Sequence, residues 1–145
     1  MMEEILLKYT NEINTLVQQK KVYEMKLTKI KKEHFDVSEA YDQLCVSKNK
    51  FEERTFQINK VFNEQASNIS NSRAVSKIID NIINSSKNLV LNQKEQNDDD
   101  GLTLKRKYMD LEEEILETKR KIEEIDNQIL LLKSKISSLE VTNNG

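Results

Sequence analysis

The sequence predicts an all-α fold: an elongated coiled coil in which two long amphipathic helices are separated by a short helix and an acidic linker. Three observations predict it. The 145 residues include two Gly and no Pro, so the chain has almost none of the residues that punctuate turns. Charged residues make up 33% of it, above the usual quarter. Leu, Ile, Val and Phe account for 41 of the 145, above the roughly 20% below which chains stay disordered. Such a chain folds, and it folds as helices with little room for a large globular core.

The first helix is predicted over residues 3–69. Stepping alternately by three and four from Leu6, fourteen of nineteen positions up to Ile69 are apolar. A 3.5-residue apolar period held over nine heptads marks a helix that packs lengthwise on a partner. The predicted partner interface is Leu6, Tyr9, Ile13, Leu16, Tyr23, Leu27, Ile30, Val37, Tyr41, Leu44, Phe51, Ile58 and Phe62. The seam also carries Lys20, His34 and Lys48. In a parallel in-register homodimer each would face its own copy, and the flanking residues five apart form no opposite-charge pair. Ile5, Val17, Val61 and Ala66 widen the apolar face to a breadth suited to a bundle. This helix is therefore expected to pair with a different sequence, either another protein or the chain's own later helix.

Small polar residues gather at 68–72 and compete with helical backbone bonding, so a bend or end is expected there, with Ser72 as a cap. Val75, Ile78, Ile79, Ile82 and Ile83 share one helical face and predict a short helix over 73–91, although Leu89, Val90 and Leu91 also suit an extended segment. A β-branched patch this dense should be buried. Residues 92–101, NQKEQNDDDG, have no apolar side chain and read as a flexible acidic linker. Asp98, Asp99 and Asp100 would then sit at the start of the next helix, where its dipole favours acids by about 0.3–1 kcal/mol.

The second long helix is predicted over 102–141. Its seam is Leu104, Tyr108, Leu111, Ile115, Ile122, Ile125, Ile129, Leu132, Ile136 and Leu139, with Thr118 as the one polar interruption. Ile at alternate core positions with Leu between them favours a parallel dimer. Four of five residue pairs flanking that seam, Lys107 with Glu112 through Lys135 with Glu140, are opposite in sign. These residues are the predicted self-pairing interface, giving a homodimer through 102–141. The sequence leaves two other arrangements, an antiparallel hairpin within one chain and pairing of both helices with foreign chains.

No catalytic constellation is expected. His34 and Cys45 are eleven residues apart on the first helix, about 16 Å at helical rise, too far for a nucleophile and its base. The two glycines cannot build a phosphate loop, and no paired Cys or His stands at metal spacing. No cofactor or metal is predicted. The net charge of −2 draws the molecule to neither nucleic acid nor anionic membrane, and the longest apolar run is far short of a membrane span. A basic stretch over 20–32, with six Lys against one Glu, is the basis of an alternative in which a dimer binds nucleic acid or a filament. The lone cysteine and the acidic start MMEEILLKYTNEIN predict an intracellular protein, cytoplasmic or nuclear. In size and layout the whole chain resembles the small coiled-coil subunits of kinetochore and vesicle-tethering complexes. That resemblance implies a non-enzymatic structural or adaptor subunit that mediates protein–protein assembly.

Overall fold

The computed structural model describes the backbone of residues 1–69 and 73–144 and the side chains of 1–65 and 76–142. It contains two α-helices, α1 (Met2–Ile69) and α2 (Arg73–Asn144), and no strand among the described residues. All-helical is what the composition predicts. Without Pro to remove a backbone donor, nothing in either segment forces a stop, and the helices run for 68 and 72 residues. The bend and cap predicted around 68–72 fall on residues 70–72, outside the described residues.

The middle of the chain differs from expectation. A short helix over 73–91, a linker over 92–101 and a third helix from 102 are not separate elements, because α2 passes through all three without a break. The dipole argument for Asp98, Asp99 and Asp100 lapses with the linker, since no helix begins beside them. Local i,i+4 side-chain bonds support this polar stretch as helix: Gln93 Nε2 donates to Asn97 at 3.0 Å and Gln96 Nε2 to Asp100 at 3.0 Å.

The chain forms two compact units, Met1–Phe35 with Met109–Gly145, and Asp36–Tyr108. In the first, α1 and α2 pack antiparallel. Tyr9 lies under Lys135, Lys20 meets Asp126, Tyr23 lies under Lys121 and His34 meets Glu112, so rising numbers on α1 face falling numbers on α2. Ile30, Leu111, Ile125, Ile129 and Leu132 are buried between them, each worth roughly 1.5–3 kcal/mol against exposure. Thr118 is 2% exposed, yet its hydroxyl donates to the Glu114 carbonyl at 2.7 Å, which satisfies the polar interruption of the 104–139 seam within its own helix.

The second unit also pairs α1 with α2 antiparallel. Val37 is buried, Lys48 is ion-paired with Asp98, and a side chain added at Gly101 would meet Leu44 Cδ2 at 3.7 Å. Asn97 and Gly101 occupy half-buried positions facing α1, so the seam continues through the polar stretch with small and polar residues in place of aliphatic ones.

Candidate protein-interaction faces

In the first unit the interface predicted on α1 faces the self-pairing interface predicted on α2, whereas in the second unit the later α1 residues face α2 positions before 102. On α1, Ile30 and Val37 are buried, and Leu6, Tyr9, Ile13, Leu16, Tyr23, Leu27, Leu44, Phe51 and Phe62 are half-buried, while Tyr41 and Ile58 remain exposed. On α2, Leu111, Ile125, Ile129 and Leu132 are buried, and Leu104, Tyr108, Ile115, Ile122, Ile136 and Leu139 half-buried.

The three polar seam residues Lys20, His34 and Lys48 that discourage self-pairing of α1 each meet a carboxylate of α2. Lys20 Nζ lies 2.7 Å from Asp126, His34 Nε2 lies 3.6 Å from Glu112, and Lys48 pairs with Asp98. Their numbers are spaced identically, 20, 34 and 48 against 126, 112 and 98. The Asp126 hydrogen bond raises the Lys20 pKa, and that of Asp98 raises the Lys48 pKa. Lys48 in turn holds the Asp98 carboxyl below its ordinary range. Lys26 adds a pair with Glu114 at 3.7 Å. These contacts fix direction and register, while the apolar seam supplies most of the free energy.

No family model, curated protein or solved structure matches this chain. What its faces offer is therefore read from its own surface. No helix among the described residues is long and apolar enough to cross a membrane, and among those residues no three His, Cys, Asp or Glu gather around a point that could hold a metal.

The outward surface carries apolar side chains that a two-helix layer cannot cover. In the second unit, α2 is apolar on two sides. Ile79, Ile83 and Val90 are half-buried, whereas Ile78, Ile82 and Leu89, at i, i+4 and i+11, are 58, 49 and 70% exposed. The burial expected for this β-branched patch is only half met among Ile78, Ile79, Ile82 and Ile83, and Val75 lies outside the described side chains. Phe56, Ile58 and Val61 of α1 are exposed in the same unit, and an open groove of about 350 Å³ there is lined by Phe51, Phe56, Val90 and Leu91 among others. In the first unit a wider groove, about 780 Å³, runs beside Leu7, Leu16, Leu131 and Leu132.

A second row, absent from the seam reading, lies on α2 of the first unit. Met109, Leu116 and Leu130 stand at multiples of seven and are exposed, with Glu123 in the remaining place. Beside the row run Glu112, Lys119, Asp126 and Lys133, alternating in sign every seven residues. A search for a seven-residue apolar repeat outside the seam would have found it.

Proposed function

We propose that this chain is a non-enzymatic structural or adaptor subunit that docks helices of other proteins within a larger intracellular assembly, in the manner of kinetochore or vesicle-tether subunits. The observation that supports it is the exposed line Ile78, Ile82 and Leu89. A helix apolar on two sides is stable in water only when both are covered, and α1 covers one. Contiguous apolar patches of this kind mark docking surfaces on soluble proteins, and the i, i+4, i+11 spacing suits a second helix laid alongside. Replacing Ile78 and Ile82 by Glu should abolish co-purification of the partner while leaving the helical circular-dichroism signal intact. Partner retention at wild-type level by that double variant would refute the reading.

Pairing of 102–141 with its own copy through the seam would draw on the side chains that α1 already contacts, so it requires α1 to leave. The nucleic-acid alternative has less support, because Lys20 and Lys26 are engaged by Asp126 and Glu114, which reduces the six lysines of 20–32 to four. Salt separates the two readings: phosphate contacts weaken steeply between about 50 and 300 mM, and apolar docking hardly changes.

A further inference from the structure

We infer that the outer face of α2 in the first unit is a self-association surface, and that its occupant is the same face of a second copy lying antiparallel. This goes beyond the adaptor reading and stands independently of it. The apolar row is Met109, Leu116 and Leu130, the last two 67 and 64% exposed. Its charged border reads Glu112, Lys119, Asp126, Lys133. A pattern of minus, plus, minus, plus is antisymmetric about its midpoint. A copy turned end for end about a two-fold axis near Glu123 therefore brings Lys119 against Asp126 of the second copy, and Glu112 against Lys133 of the second copy. The same axis sets Leu116 against Leu130 of the second copy.

Each of these contacts occurs twice, and none places like charges together along that border. A parallel in-register copy would turn the two borders to opposite sides of the contact, so none of these opposite-charge pairs would form. A foreign helix would need this charge order reversed, which the chain itself already carries. Lys119 and Lys133 have no ion pair with another described residue of the chain, and both are exposed. Asp126 and Glu112 meet Lys20 and His34 from one side and can accept a lysine from the other. Pairs of exposed charges select a partner and its direction more than they add affinity. Glu123 sits on the axis opposite its own copy, so the association is weak and reversible.

The test is sedimentation equilibrium of the full chain in about 50 mM salt at up to about 0.5 mM, within the range where weak interfaces form. Wild type should show a species of twice 17.0 kDa that recedes as salt is raised. Glu123→Leu should tighten it about tenfold or more, since a buried Leu replaces a repelled charge. Leu116→Glu and Lys133→Glu should each weaken it at least tenfold with unchanged helical circular dichroism. In a Cys45→Ser background, Glu123→Cys should form a disulfide-linked dimer on mild oxidation, and Leu116→Cys should not, because the two-fold axis sets residue 116 beside 130. Three results would each overturn the inference. One is a monomer at every concentration for both wild type and Glu123→Leu. Another is a dimer indifferent to Leu116→Glu and Lys133→Glu, which would place pairing on the seam. The third is efficient cross-linking through Leu116→Cys, which would make the pair parallel.

Discussion

Lys20, His34 and Lys48 carry opposite meanings in the sequence and in the fold. Read along α1 alone, a Lys or His every two heptads in an apolar seam is a defect that discourages self-pairing. Set against α2, each meets an acid. The sequence displayed both sets of charges, but their matching depends on which residue lies opposite which, and no local pattern encodes that. Thr118 is similar: it interrupts the seam on paper and is harmless in place because its hydroxyl is satisfied one turn back. The Lys48 and Asp98 pair gives a pH dependence whose sign follows from the two shifts. Asp98 is lowered by its hydrogen bond with Lys48, so its contribution is complete above the ordinary carboxylate range near 4 and is lost as pH falls through the lowered value. Lys48 is raised by the same bond, so its share is present below the ordinary Lys range and fades only as pH climbs past the raised value. Thermal melts of wild type should exceed those of Asp98→Asn at neutral pH, with the gap closing below about pH 4.

At the scale of the element, α1 was legible and α2 only in part. An unbroken three-four alternation sufficed for α1 because its seam is mostly apolar from end to end. The stretch 92–101 misleads because Asp, Asn and Gly are poor helix formers and its seam positions, Lys94, Asn97 and Gly101, hold no aliphatic residue. Its helicity draws on the Gln93–Asn97 and Gln96–Asp100 bonds inside the window and, from outside it, on Lys48, close approach to Leu44 and continuity with the strong helix that follows. Tertiary contact overrides propensity here. Because Gly101 lies inside a helix, without positive φ, and a Cβ there would make ordinary contact with Leu44, Gly101→Ala should stabilise the chain by about 0.5–1 kcal/mol. Chemical denaturation measures this directly. Destabilisation instead would mean that residue 101 serves as a joint.

For the molecule as a whole, two helices cannot enclose what this sequence offers. Within each unit large apolar side chains stay more than half exposed, Leu116 and Leu130 in the first and Ile78 and Leu89 in the second. The urea m-value, which scales with newly exposed area, should therefore fall below that of a compact domain of equal length when measured at micromolar concentration. A full-sized m-value there would show that additional surface is covered. The sequence made this visible in advance through its high charge and its apolar residues off the seam, though not which of them stay uncovered. The spacing of the cross-helix charges carries one more consequence. Sliding α2 by a single heptad would preserve the greasy stripe but steer Lys20 onto Lys119 or Lys133, cation upon cation. A slide of two heptads restores attraction and forfeits about 21 Å of overlap. Misaligned encounters during folding thus find no comfortable resting place nearby, and the zipper closes on one set of teeth.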